Sequence, residues 1–311
     1  MENEDKIQDK INQSFHTNLK QLSEQSEVLL GLSGGLDSSV LLHLLVKMQD
    51  KFNFNLRAIH VHHGLNSAAD DWLKFCKKKC ESLNIDFYSE KVKINPDSAL
   101  GFEGEARKLR YEAIVKRQKG IVALGHHQND QAETLLLQLF RGSGLKGLAA
   151  MPEFDSKRNF WRPMLNIKRD ALEIYAKEHR VKYIDDESNQ DEKFNRNFIR
   201  QKVLPLIESR YPSSIETISR SASNIAEGHN LNNLIAIDDS KSYMSPDGAH
   251  LSIHGLKKLS KLRAINLIRW WLSLENLLMP SKKNIDELYR QVQYIKKDTS
   301  LNLKISIDKS I

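Results

Sequence analysis

The chain is 311 residues long, 40% hydrophobic and 28% charged, with a mean hydropathy of -0.51, a balance that lets an ordinary globular protein bury a core without metal or disulfide staples. No segment reaches the ~18 apolar residues of a membrane span, and the N-terminal stretch is polar and charged rather than a signal-peptide pattern. A cytosolic chain is expected, with one large domain and an appended one, or two domains of moderate size. The net charge of +7 is unevenly placed: residues 241–311 hold 13 basic and 6 acidic residues, whereas residues 1–240 hold 34 of each. That basic quarter, which includes Lys257, Lys258 and Lys261, suits either a polyanionic partner or a solvated helix face.

In chain order, an apolar strand over residues 28–32 turns through Ser33-Gly34-Gly35 into a helix carrying Val40, Leu41, Leu44 and Leu45, a strand, loop, helix unit. The unit repeats: strand 56–61, helix 69–83, strand 85–92, helix 103–117, strand 121–124 and helix 131–140. Such alternation predicts an α/β fold, a doubly wound, mostly parallel sheet covered on both faces, with ligands at the carboxyl ends of its strands. The pattern weakens after Met151-Pro152. A helix follows over residues 168–180, then a polar stretch, 185–191, leading to Arg196, Asn197 and Arg200. Tyr211-Pro212-Ser213-Ser214 is the expected boundary between a 1–212 domain and a mainly helical 213–311 domain. In the latter, helices are expected over residues 262–274 and from Ser281 onward. Alternating apolar residues from Leu301 to Ile307 predict a short strand that pairs with residues 251–253.

The sharpest local motif is Leu32-Ser33-Gly34-Gly35-Leu36-Asp37-Ser38-Ser39. Its glycines allow close backbone approach, and its amides, three hydroxyls and helix N-terminus supply donors for a phosphate. It lacks the Gly-Lys-Ser/Thr of a Walker A loop. Gly142-Ser143-Gly144-Leu145-Lys146-Gly147 fits a G-x-G-x-x-G pattern, but it follows a helix rather than a strand, so a dinucleotide fingerprint is rejected. His60-Val61-His62-His63 and His126-His127 with Asp130 and Glu133 raise a zinc or two-metal alternative. With no H-E-x-x-H pattern present, they read as nucleotide and substrate contacts or as strand-end histidines. Cys76 and Cys80, four apart on a helix, form no C-x-x-C motif and are expected to be reduced.

Ser-Gly-Gly-x-Asp-Ser resembles the pyrophosphate loop of the N-type ATP pyrophosphatases. Further segments resemble those of the bacterial tRNA(Ile)-lysidine synthetases: His60-Val61-His62-His63-Gly64-Leu65, with Asn66 where many members carry Arg; Glu103 with Ala106-Arg107 and Arg110-Tyr111; Gly125-His126-His127-Gln128-Asn129-Asp130-Gln131-Ala132-Glu133-Thr134, with Asn129 at a frequent aspartate; and Asp186-Glu187-Ser188-Asn189 with Arg196-Asn197 and Arg200. The resemblance covers about residues 27–205. It implies that ATP adenylates C2 of the wobble cytidine in a minor isoleucine tRNA with a CAU anticodon, and that free lysine then displaces AMP to give lysidine.

On that resemblance Ser33, Gly34, Gly35, Asp37, Ser38, Ser39, His62 and His126 would bind ATP, with Asp37 and Asp130 near Mg2+. Asp130 and Glu133 lie one helical turn apart and would hold Mg2+ or the ammonium of lysine. Arg196 would reach cytidine or adenylate as a fork donor, unless it instead pairs with the acidic cluster at 185–191. Glu103, Arg107, Arg110, His127, Asn197 and Arg200 would contact substrate, and Lys257, Lys258 and Lys261 the tRNA body. The resemblance leaves a homodimer open. Rival readings are a tRNA thiolase or other pyrophosphate-loop synthetase, for which Cys76 and Cys80 are poor cysteines, and a catalytically silent RNA-binding protein.

Overall fold

The computed structural model describes residues 2–19, 27–62, 69–95, 98, 101–185, 193–274 and 279–295. The predicted strand at 301–307, the 186–189 motif and the His63 to Asn66 segment lie outside the described residues, as does the side chain of Glu103. Two compact units are formed, residues 1–224 and 225–311.

The first unit begins with helix α1 (Glu2–Leu19), which the composition of the N-terminus hides. Its charged residues surround Ile7, Ile11 and Phe15, spaced four apart, and these three are buried in the core because that spacing puts them on one helix face. Then come β1 (Glu27–Gly31), α2 (Leu36–Phe52), β2 (Asn55–His62), α3 (Ala69–Ser82), β3 (Asp86–Lys91), α4 (Gly101–Arg117), β4 (Ile121–Ala123) and α5 (Gln128–Phe140). After α6 (Leu145–Leu148), a hairpin of β5 (Phe154–Asp155) and β6 (Phe160–Trp161) completes the sheet, in the stretch where the sequence pattern weakens. Two-residue strands are too short for period-two alternation to register.

The sheet order is β3-β2-β1-β4-β6-β5, parallel except at β5. Alternate residues of β1 enter different cores. Val28 and Leu30 join α1, α2 and α7 (Arg169–Glu178) on one face, and Leu29 joins Ile114 of α4 on the other. The sheet is thus buried on both sides, and β1 reads as a continuous apolar run. From β1 the chain winds outward through β2 and β3, then returns to place β4 on the far side of β1. That reversal opens a crevice at the carboxyl ends of β1 and β4, where ligands bind in open sheets of this class.

Helix α8 (Asn195–Phe198) continues through a π-helical turn, Ile199–Val203, into α9 (Leu204–Arg210). Ile199 and Leu204 pack with Ala132 and Leu136 of α5 and with Ile215, so this helical run is held against α5. Ile215 lies in α10 (Ser214–Tyr243), and that explains why the units divide between Asn224 and Ile225, inside α10, rather than at the predicted boundary near Pro212. The first turns of α10 belong to the core of the first unit.

The second unit holds α11 (Ile253–Lys258), α12 (Lys261–Leu274) and α13 (Lys282–Tyr294) around Ala236, Leu256, Leu267, Ile268, Ile285 and Val292. Ser281 caps α13 by accepting from the Asn284 amide at 3.2 Å, as its sequence predicts. Residues 251–253 do not form the expected strand: Leu251 makes a single antiparallel bridge to Met244 and Ile253 opens a helix. No helix among the described residues is long and apolar enough to cross a membrane.

Candidate active site

Residues 32–39 leave β1 and enter α2 through a loop knotted around one hydroxyl. Ser38 Oγ accepts from the amides of Ser33 and Gly34 at 3.2 Å each and lies 3.0 Å from Ser33 Oγ. Ser39 Oγ donates to Gly34 O at 3.2 Å, and the Ile184 amide donates to the same carbonyl at 2.9 Å. Gly34 has φ +93°, a region open to glycine, and a Cβ there would come within 3.1 Å of Cys76 Sγ. The loop is therefore set in shape, with the N-terminus of α2 at its end for an anionic group.

The chain leaving β4 closes on this loop. A Cβ on Gly125 would stand 3.1 Å from the Ser38 amide nitrogen and 3.2 Å from the carbonyl carbon of Asp37, so any larger residue would press on the backbone of the loop. Two residues on, His127 is buried, and its Nε2 lies 3.6 Å from Asp37 Oδ2 and 3.5 Å from Asp130 Oδ2. Burial alone would lower the His127 pKa, but the carboxylates of Asp130, Asp37 and Glu133 outweigh it and raise it. His126, by contrast, is pushed down to about 3, chiefly by burial and only partly opposed by Asp130; it is neutral at pH 7.

Asp130 and Glu133 do sit on one face of α5, and two arginines already fill that face. Arg196 donates from Nε to Glu133 Oε2 at 2.6 Å and from Nη2 to Asp130 Oδ1 at 2.9 Å. Arg200 donates from Nε to Glu133 Oε1 at 2.6 Å and from Nη2 to Asp130 Oδ1 at 3.2 Å. The remaining oxygen, Asp130 Oδ2, accepts the His127 amide at 2.9 Å. Desolvation opposes the charge on Asp130, yet His127, Arg196, His126 and Arg200 together hold its carboxyl well below the usual range. All four oxygens thus have N–H partners. Asp37 differs: its Oδ1 is buried without a hydrogen-bond partner.

The other expected residues are more scattered. His62 Nε2 lies 3.2 Å from Asp70 Oδ1, an oxygen also held by Lys91 at 3.3 Å. Arg107 lies over the Tyr111 ring at 5.5 Å, and Arg110 is exposed on α4. Asn197 is half-buried beside Arg196 in sequence. In the second unit Lys257 donates to Ile295 O at 2.6 Å and Lys261 pairs with Asp286 at 3.7 Å, whereas Lys258 is exposed. Two residues escape sequence reasoning. Arg169 opens α7, and Asp37, Glu173 and Asp130 hold its guanidinium charged against burial. Arg162 is buried just after β6 and donates to Pro152 O at 2.8 Å. A buried arginine in Trp-Arg-Pro was the available signal for the second, whereas Arg169 stands in a solvated-looking helix start.

Two family models match the chain, one for the PP-loop domain over residues 3–207 and one for the TilS substrate binding domain over residues 251–306. A tRNA(Ile)-lysidine synthase of Histophilus somni (strain 129Pt) is 40% identical over 298 residues, which is 94% of this chain and 69% of the relative. One from Pectobacterium atrosepticum is 38% identical over 296 residues, 94% and 67% of the two chains. Among solved structures, the U34-tRNA thiolase NcsA from Methanococcus maripaludis aligns with a TM-score of 0.59 at 21% identity, covering 72% of this chain and 80% of that one. That likeness is one of fold.

Proposed function

This chain belongs to the tRNA(Ile)-lysidine synthase family, and from that premise we propose that it joins free L-lysine to C2 of the wobble cytidine in an isoleucine tRNA with a CAU anticodon. It is a PP-loop ligase that modifies tRNA. The reaction proposed for it has two halves. ATP first adenylates the C2 oxygen and releases pyrophosphate; the amine of lysine then attacks C2 and AMP leaves with that oxygen. The observation that carries the reading is the junction of the pyrophosphate loop, through Asp37, His127 and Asp130, with the Arg196 and Arg200 forks. One end of that row suits a polyphosphate and the other a developing anion.

The loop residues Ser33, Gly34, Gly35, Ser38 and Ser39 orient the nucleotide, and the N-terminus of α2 faces its negative charge. Mg2+ takes hard oxygen ligands and retains substrate phosphates in its shell; when bound it offsets charge developing on the pyrophosphate. Asp37, with its unpartnered buried oxygen, fits as the protein ligand. Asp130 does not fit that role as well, because both its oxygens already accept hydrogen bonds. Its work is to orient His127 and the two arginines. Arg196, partly exposed beside Asp130, is the arginine proposed to reach adenylate or cytidine as a fork donor.

The thiolase reading is disfavoured by one observation. Cys76 and Cys80 are fully buried, and burial pushes both thiols up to about 12, so neither supplies a thiolate at neutral pH. The adenylation half is tested by Asp37→Asn, which keeps the fold and is expected to lower tRNA-dependent pyrophosphate release about a hundredfold. Near-normal release would remove Asp37 from the site.

A further inference from the structure

Helix α3 carries four lysines, and one of them is held differently from the rest. Lys74 pairs with Asp71 at 2.9 Å, Lys77 pairs with Glu81 at 3.8 Å, and Lys78 is exposed. Lys79 is partly buried; its Nζ lies 5.6 Å from the centre of the Phe75 ring and donates to the carbonyl of Lys182, 103 residues further along, at 2.6 Å. Burial pulls its ammonium down to about 8. The charge thus persists at neutral pH against a desolvation cost, which the bond to Lys182 O partly offsets.

The carbonyl that Lys79 holds belongs to a segment that closes on the pyrophosphate loop. Val181 is buried in the core, Lys182 follows it, and the Ile184 amide donates to Gly34 O at 2.9 Å. A Cβ on Gly34 would meet Ile184 Cδ1 at 3.4 Å on this side, and Cys76 Sγ at 3.1 Å and Phe75 Cδ1 at 3.7 Å on the side of α3. The loop is therefore gripped between α3 and residues 181–185. Phe75 and Cys76 stand four and three residues before Lys79, a spacing that puts all three on one face of α3. The face that touches Gly34 is thus the face that reaches Lys182, and the Lys79 bond ties the two walls of the grip together.

We propose that Lys79 is a positioning residue for ATP: by fastening Lys182 O to α3 it keeps Ile184 closed on Gly34 and so holds the pyrophosphate loop in the shape that receives the nucleotide. Lys79 touches no reacting atom in this scheme and acts through Ile184 and Gly34. A methionine in its place would keep the apolar stem beside Phe75 but leave the Lys182 carbonyl without its charged donor, whereas an arginine would keep a donor. The assignment rests on the reading of residues 32–39 as the ATP site, and its own test is one of nucleotide binding rather than of turnover.

The test is equilibrium dialysis of labelled α,β-methylene-ATP against the full chain, which requires no cleavage. Lys79→Met is expected to bind about tenfold more weakly than the wild type, within the range for one hydrogen bond from a charged group. Lys79→Arg should bind within about twofold of the wild type, because its guanidinium stays charged. In tRNA-dependent pyrophosphate release, the KM for ATP should rise as the binding falls, while kcat at saturating ATP stays within about twofold, the pattern of a lost contact that serves ground and transition states alike. The affinity for tRNA should not change. Unchanged analogue affinity in Lys79→Met, a Lys79→Arg variant as weak as Lys79→Met, or equal losses for ATP and tRNA with a lowered Tm would overturn the assignment. Analogue binding as expected with no pyrophosphate release by the wild type would uphold Lys79 and contradict the adenylation reading. Pyrophosphate release with the same KM for ATP in Lys79→Met would do the reverse.

Discussion

Arg196 and Glu133 meet at 2.6 Å, Nε to Oε2, although 63 residues separate them and Glu133 is wholly shielded from solvent. The pair fastens α8 to α5, and Arg200 repeats the contact from one turn further on. Arg196→Ala should therefore act on stability as well as turnover, since a buried carboxylate loses one of two guanidinium partners. A loss of about 2–4 kcal/mol is expected, somewhat below the usual cost of breaking a buried pair because Arg200 remains. Adding Glu133→Gln removes the stranded charge and should restore part of that loss. Urea denaturation of the single and double variants measures it; strictly additive losses would contradict the pairing.

Gly125→Ala tests how closely the two loops approach. The added methyl would press on the Ser38 amide and the Asp37 carbonyl carbon, both backbone atoms at 3.1–3.2 Å. Overpacking of this kind costs about 1–3 kcal/mol, and the displacement falls on the ATP site. The variant should show a several-fold higher KM for ATP together with a lower Tm. An unchanged KM would mean that the loop accommodates the methyl without moving.

The sheet and the pyrophosphate loop were legible in the sequence because each rests on local signals: apolar strands bounded by turns, and a glycine-serine loop at a strand end. Helix α1 was less visible because three core residues, Ile7, Ile11 and Phe15, are spread through a charged stretch. The saturation of Asp130 and Glu133 was not legible at all. Spacing along α5 put the two carboxylates on one face, but only tertiary packing of Ile199 and Leu204 against Ala132 and Leu136 brings the arginines to them. Arg169 escaped for the same reason, since its link to Asp37 crosses from one helix to the start of another.

The buried thiols give a pH dependence with a definite sign. In the unfolded chain Cys76 and Cys80 ionise near their ordinary 9.0, whereas burial raises them to about 12 in the folded protein. Their contribution to stability is therefore complete below about pH 9 and is lost as the pH rises toward 12, by at most about 1.4 kcal/mol per pH unit for each thiol. Cys76→Ala/Cys80→Ala should be less stable at pH 7 from lost packing, yet show a shallower decline above pH 9. Parallel denaturation curves for the two proteins across that range would refute the shift.

Lys257, Lys258 and Lys261 remain the proposed contacts to the tRNA body. Reversing all three to glutamate should weaken tRNA binding and reduce the slope of log K against log salt by up to about 3, roughly one per phosphate contact. Because Ile215 is buried against α5, a chain ending at Asn224 should retain ATP binding, whereas one ending at Pro212 should lose it. An unchanged salt slope in the triple variant would leave these lysines as a solvated face.

The reaction proposed for this chain transfers lysine to a tRNA cytidine with cleavage of ATP to AMP and pyrophosphate. The most direct measurement incubates the purified chain with labelled L-lysine, ATP and isoleucine tRNA bearing a CAU anticodon, then digests the tRNA and identifies the labelled nucleoside by mass spectrometry. Lysine attached at C2 of the wobble cytidine, dependent on ATP and accompanied by one AMP per lysine, is the predicted result. Pyrophosphate release without lysine in the tRNA, or sulfur at a tRNA base in its place, would contradict it.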